Sequence, residues 1–306
     1  MPAQKAILVY DEESQREDLI LSVELRGGPE AAWVVPVPSL PEVETASPEW
    51  FEQLSEVTKP EIEHRVEEIY YSFEAVTVGE EVEVEVISRE EVGVYDVSIL
   101  SADKAGALVD WLNENGYAYP EEGEPLLDIY MEEGGWYFVA ARVLPGKSDR
   151  LDGDVHPLWF SFETERPIYP MRLTTLVKKR LHVLIYVLAD HRMEIPGHGF
   201  RTWFAGELTL EPVDAESAEA VELLTQRPYY VTKLRNESLF PPSLTKDMYF
   251  EQSTNDEPYR EVVIETEYRY VPETEPRNWL GLALILGLVF VVTLAVVGFD
   301  KAGKRS

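Results

Sequence analysis

Trp279 to Phe299 reads WLGLALILGLVFVVTLAVVGF, twenty-one residues without a charge, and its reading decides how the rest of the chain is organised. At a helical rise of about 1.5 Å per residue the run reaches roughly 31 Å, close to the ~30 Å hydrocarbon thickness of a bilayer. A helix buried in a soluble core would carry more fold on both sides, whereas seven residues follow here. The run is therefore expected to be a single transmembrane helix, with the preceding residues as the object it anchors.

Working outward from the span, Lys301, Lys304 and Arg305 follow it with Asp300 alone against them, and Glu273, Glu275 and Arg277 precede it. The positive-inside bias puts the tail, residues 300–306, in the cytoplasm and the bulk of the chain outside the cell membrane. A tail-anchored protein with its bulk in the cytosol is the alternative, since no basic region or small-residue cleavage site follows Met1. Residues 273–278 read as a stalk. Val271-Pro272-Glu273-Thr274-Glu275 resembles a sortase signal in layout, but Glu275 stands where that signal has glycine, so the helix is expected to stay in the mature protein.

The net charge is −30, with 57 acidic against 27 basic residues. So acidic a surface repels phosphate backbones, which excludes nucleic acid as a partner. Hydrophobic residues make up 45% of the chain, enough for a packed core, so the charge does not signal disorder. The absence of cysteine removes disulfides, thiolate metal sites and cysteine nucleophiles from consideration.

The patterning predicts an α+β fold with mixed or antiparallel sheets and a few packed helices. Lys5 to Tyr10 (KAILVY) and Asp18 to Leu25 (DLILSVEL) read as a hairpin, and Ala31 to Val37 as a strand ending at a sheet edge, because Pro36 and Pro38 cannot donate ladder hydrogen bonds. Ser47-Pro48-Glu49 starts a helix with Trp50, Phe51 and Leu54 on one face. Val82, Val84 and Val86 alternate with glutamates as a half-buried strand, and Val92 to Leu100 is its neighbour. Ser101 is expected to cap a helix that Gly116 ends, Pro125 to open a shorter one that Gly134-Gly135 ends, and Trp136 to Leu144 to form a strong strand. The polar stretch Pro145 to Pro157 divides the chain into an α+β lobe, residues 1–145, and a mostly β lobe, residues 146–272, with strands at Leu158 to Glu163, Leu181 to Ala189, Thr202 to Leu210, Tyr229 to Leu234 and Arg260 to Tyr270.

Several of these phrases resemble one bacterial family, domain of unknown function 2330. They are AILVY at Ala6 to Tyr10 with EDLILSV at Glu17 to Val23, AWVVPVP at Ala32 to Pro38 with Pro41-Glu42-Val43, and LSADKAGALVDWLNENGYAYP at Leu100 to Pro120. WYFVAAR at Trp136 to Arg142 and PIYPMRL at Pro167 to Leu173 continue the match. The resemblance implies an extracytoplasmic protein, often membrane-anchored, and brings no assigned activity or catalytic residue.

Asp149, Asp152 and Asp154, around Gly153, form an acidic loop whose oxygens suit calcium, a hard cation, although their order is not that of an EF-hand. His182, His191 and His198 lie near Asp190 and Glu194 without a zinc-site spacing. No G-x-S-x-G elbow, phosphate loop or dinucleotide fingerprint occurs, so no catalytic or cofactor-binding residue is assigned and no cofactor beyond that calcium is expected. Pro36, Pro38 and Pro41 near Trp33, Pro228-Tyr229-Tyr230, and Phe240-Pro241-Pro242 are rigid amphipathic segments suited to protein contacts. The expected role is thus a binding module or an accessory, structural subunit of a cell-envelope assembly, with the membrane and other envelope proteins as partners. An extracytoplasmic enzyme of the hydrolase class is the alternative.

Overall fold

The computed structural model describes residues 3–23, 32–71, 95–143, 157–213 and 218–272. Trp279 to Phe299, the valine-glutamate alternation at Val82 to Val86 and the acidic loop Asp149 to Asp154 all lie outside them. Among the described residues no helix is long and apolar enough to cross a membrane.

The chain begins with the expected hairpin, β1 (Ala3–Asp11) and β2 (Arg16–Val23). Asp11 Oδ1 accepts from the backbone N–H groups of Glu13 (2.9 Å) and Ser14 (3.2 Å), and Gln15 turns with φ 52°. The short carboxylate thus shapes the turn. Next come β3 (Ala32–Val37), β4 (Glu42–Thr45), α1 (Glu49–Val57) and β5 (Glu61–Tyr71). After the 72–94 interval follow β6 (Tyr95–Leu100), α2 (Ala105–Glu114), α3 (Glu124–Glu133) and β7 (Tyr137–Val143). The remainder is mostly strand: β8 (Leu158–Glu163), β9 (Ile168–Tyr169), β10 (Leu181–Ala189), β11 (Met193–Glu194), β12 (Arg201–Leu208), then α4 (Ala218–Thr225) and β13 (Tyr229–Leu239). β14 (Met248–Tyr249), β15 (Glu251–Gln252), β16 (Tyr259–Arg260) and β17 (Val262–Pro272) complete it.

Compactness divides the chain elsewhere than the polar stretch at residue 145. One unit comprises residues 1–61 and 87–263, the other 62–86 and 264–306. The first contains an eight-stranded sheet in the order β16-β12-β13-β10-β1-β2-β8-β4. β1 lies at its centre, antiparallel to β2 and parallel to β10, with Ala3 opposite His182 and Val9 opposite Leu188. Residues on both sides of position 145 therefore share one sheet, which is why that position does not separate two lobes.

Both faces of this sheet are covered. Ile7, Val9 and Ile20 meet Trp50, Phe51 and Leu54 of α1 and Leu224 of α4 on one face. Ala6, Leu8, Leu19 and Leu21 meet Val35, Val37, Val139 and Ala141 of a second sheet, β3-β7-β6, on the other. Burial on two faces explains why AILVY, Ala6 to Tyr10, is continuously apolar. The outer face of the three-stranded sheet is in turn covered by α2 and α3, where Leu108, Leu112, Leu127 and Tyr130 pack on Phe138 and Ala140. The unit is layered helix, sheet, sheet, helix. The second unit's described part is the ribbon of β5 and β17, with His64 Nδ1 3.5 Å from Glu265 Oε2.

Helix ends depart from the expected caps. α1 begins at Glu49, with Ser47 Oγ accepting from the Glu49 N–H (3.3 Å), and α2 begins at Ala105 after Lys104, with no side-chain cap. Ser101 therefore stands outside the helix. The C-terminal signals hold: Gly116 (φ 83°) lets Tyr117 N–H return to the Leu112 carbonyl (2.9 Å), and Gly134 (φ 72°) follows α3.

Candidate functional site

Where the three-stranded sheet ends, a groove of about 410 Å³ runs along β3, within the size range of small-ligand and peptide sites. Three chain segments build it. β3 supplies Trp33, Val34 and Val35; the turn after α2 supplies Tyr117, Ala118, Tyr119 and Pro120; and the stretch from Tyr169 to Val177 supplies the opposite wall, with Gln4 and Leu21 at the floor.

Each wall is held rigidly. Tyr117 stacks on Trp111 with ring centroids 5.9 Å apart, and the Arg142 guanidinium, itself bonded to Asp96 (2.6 Å) and the Asn115 carbonyl (2.7 Å), lies 5.6 Å from its ring centroid. Tyr119 Oη donates to the Gly123 carbonyl (3.2 Å). A Cβ on Gly123 would lie 2.6 Å from the Tyr119 ring, so the close approach requires glycine there. Between the two tyrosines Ala118 adopts φ 46°, a left-handed conformation that costs a non-glycine residue energy and is retained where surroundings fix it.

The opposite wall rests on a buried polar knot. Asp247, 3% exposed, accepts from Tyr130 Oη (2.9 Å) and from the N–H groups of Met171 (2.9 Å) and Arg172 (2.8 Å). Arg172 turns inward, paired with Glu133 (2.9 Å) and Asp247 (3.6 Å) and lying 4.5 Å from the Tyr130 ring centroid. Burial pushes the Asp247 carboxyl up, against the pull of these donors and of Arg172. The knot fixes the turn that presents Met171, Leu173, Thr174 and Leu176 to the groove.

Two polar atoms at this site, Gln4 Oε1 and Trp33 Nε1, are buried with no hydrogen-bond partner among the described residues. One is an acceptor and the other a donor, and an unmade bond of either kind is costly. Among the lining residues the tyrosines alone are titratable, and burial pushes the Tyr119 and Tyr169 phenols up. No carboxylate, imidazole or amine side chain lines the groove among the described residues.

A second cleft, about 240 Å³, is lined by Asp11, Arg16, Asp18, Glu222 and Arg227 among others. Two of its charges have partners: Asp18 Oδ1 accepts from Trp159 Nε1 (3.0 Å), which lines the same cleft, and Arg227 pairs with Asp190. Lys233 is held down at about 8, first by burial and then by Arg235 and Arg260, and its Nζ donates to the Thr58 carbonyl (3.4 Å).

Of the segments singled out in the sequence, Trp33 lies in the groove. Tyr229 and Tyr230 are core residues whose hydroxyls donate to the carbonyls of Leu223 and Asp256, and Pro241 is buried beside an exposed Phe240. His191 pairs with Asp256 (2.8 Å), which raises its pKa, and among the described residues no group of three His, Asp or Glu side chains converges as a metal site. Tyr117, Tyr119 and Gln4 were not anticipated. The Tyr-Ala-Tyr-Pro run directly after a helix-ending glycine is the signal that could have indicated the first two.

A family model described as DUF2330, uncharacterized protein conserved in bacteria, matches residues 2–251. Three of the phrases that resemble that family, AWVVPVP, the GYAYP end of LSADKAGALVDWLNENGYAYP, and PIYPMRL, are segments that meet at the groove. No curated protein matches the chain. Among solved structures, two crystal structures of baculovirus P35, one a mutated form after caspase cleavage, are each 12% identical with a TM-score of 0.35. They cover 82% of this chain and 100% and 97% of their own, and so distant a likeness carries neither fold nor activity across.

Proposed function

The chain belongs to the DUF2330 family of bacterial proteins, and from that premise we propose that it is an extracytoplasmic binding module, anchored by Trp279 to Phe299, that serves as an accessory subunit of a cell-envelope assembly. The observation that carries the reading is the groove along β3, whose aromatic walls are held rigidly and whose lining keeps Gln4 Oε1 and Trp33 Nε1 buried and unpartnered. Rigid aromatic side chains give contact area at low entropic cost. The uncharged apolar run and the basic Lys301, Lys304 and Arg305 support the anchor and its orientation.

The test introduces a photo-reactive amino acid at Thr174 in the groove wall, or at the exposed Asp110 on α2 as control, in the full chain in its native membrane. A discrete adduct from Thr174 and none from Asp110 is expected. Equal labelling from both positions, or none from either, overturns the binding reading. Protease added to intact cells is expected to digest the bulk of the chain; full protection until lysis would establish the tail-anchored topology instead.

A further inference from the structure

We propose that the groove takes an extended polypeptide segment of a partner protein, added as a strand to the free edge of β3, with acidic residues of that segment facing Lys178 and Lys179. This rests on the binding reading and specifies its ligand.

The groove lies at the strand's edge. Successive side chains of a strand point to opposite faces: Trp33 and Val35 pack toward the core between the sheets, Val34 toward the helices. All three line the groove and no residue of β7 does, so the groove is bordered by the side of β3 that faces away from β7. Among the described strands β3 is the terminal one of its sheet.

Pro36 tells which backbone groups face it. Opposite Phe138 in the register, Pro36 has no N–H for the ladder, so it belongs to the pairs whose backbone groups point away from β7. By the two-residue alternation Val34 has the same direction. Its N–H and C=O face the groove and bond to no described backbone group there. An amide donor and acceptor presented together on an edge are what an extended peptide pairs with. An acyl chain would satisfy none of these.

Charge sets the second feature. Val177 lines the groove, and Lys178, Lys179 and Arg180 follow it as exposed residues. Arg180 is turned to the Ser238 carbonyl (2.8 Å) and the Phe240 ring, which leaves Lys178 and Lys179, cations in a chain of net charge −30, beside this end of the groove to favour an acidic segment.

The experiment selects a phage-displayed library of short random peptides on the full chain in detergent and then measures the enriched peptides on the wild type and on the Val34→Pro variant. That substitution removes the outward N–H while sparing the ladder to β7, as Pro36 already does. Enriched peptides are expected to alternate apolar and polar residues and carry Asp or Glu. Their affinity should fall about tenfold on Val34→Pro, the worth of one desolvated backbone hydrogen bond, and similarly when a central peptide amide is N-methylated. Lys178→Glu with Lys179→Glu should weaken binding further. An unchanged melting temperature of Val34→Pro shows that it is folded, and the N-methylated peptides test the pairing on the wild-type chain. Peptides that ignore both changes, or no enrichment at all, overturn strand addition. So does binding to phosphatidylglycerol vesicles with no peptide selected, which would mark a lipid surface. If crosslinking from Thr174 persists in either case, the binding reading stands and the strand assignment falls; if it is also absent, both fall.

Discussion

Replacing Asp247 by alanine tests whether the buried knot holds the groove wall. The substitution strips an acceptor from the Tyr130 hydroxyl, which is fully buried, and from the N–H groups of Met171 and Arg172, and it leaves the Arg172 guanidinium, 4% exposed, with Glu133 alone. Removing one partner of a buried ion pair costs about 3–5 kcal/mol, and each buried donor left unmade about 1–3 kcal/mol. These overlap, because water entering the space vacated by the carboxylate would satisfy some of the donors. A loss of about 3–5 kcal/mol is therefore expected, a large share of a typical ~5–15 kcal/mol total. Asp247→Asn keeps an oxygen for the two N–H groups and loses the charge opposite Arg172, so it should cost less, about 1–3 kcal/mol. Urea denaturation of the full chain in detergent reads the total, and amide exchange over residues 171–177 reads the wall itself. Alanine within about 1 kcal/mol of wild type, or unchanged protection at Met171 and Arg172, would refute the claim that Asp247 organises this turn.

Gly123→Ala places a methyl 2.6 Å from the Tyr119 ring, so it should swing that ring and abolish selected-peptide binding while costing about 1–3 kcal/mol of stability; retained affinity would remove Tyr119 from the site. Glu17 is fully buried, its Oε2 accepting from the Ile168 N–H (2.7 Å) and its Oε1 unpartnered, and burial raises its carboxyl well above the usual range. The folded state then holds that proton more tightly than the unfolded chain, so its contribution is complete below the unfolded pKa, about 4.3, and is lost as pH rises toward the folded value. Glu17→Gln should consequently gain on wild type as pH rises from acid to neutral, and parallel stability curves would show that Glu17 does not titrate as described. Intact mass of membrane-extracted protein should include Trp279 to Phe299; a product ending at Thr274 would establish sortase-like processing.

How much of this was legible can be judged element by element. The hairpin, the edge strand with Pro36, the helix after Pro48 and the strand at Trp136 were readable because apolar period, proline and glycine are local signals. The parallel pairing of β1 with β10 was not, since its partners lie far apart in sequence and burial on both faces erased the alternation that carries register. The same applies to the site. Trp33 drew notice among prolines, but Tyr117 and Tyr119 read as an ordinary turn, and Asp247 is one of 57 acidic residues whose burial is decided by Tyr130, Met171 and Arg172 rather than by its neighbours. Val34 could not be distinguished from any other valine until the register with β7 showed which way its amide points.

An exposed sheet edge also invites pairing between copies of the same chain, and natural sheets guard against that with proline and charge. Here Pro36 interrupts the outward donors of β3, and a net charge of −30 makes two copies repel. The second guard is electrostatic and should fail on screening, as the Debye length shortens from about 10 Å at 0.1 M salt to about 3 Å at 1 M. Raising salt is therefore expected to drive self-association of the full chain in detergent, measured by sedimentation, and Val34→Pro to prevent it while leaving the melting temperature unchanged. Association in which Val34→Pro participates as readily as wild type would place the contact away from β3, and a chain that stays monomeric at high salt would show that charge is not what keeps the edge open for a partner.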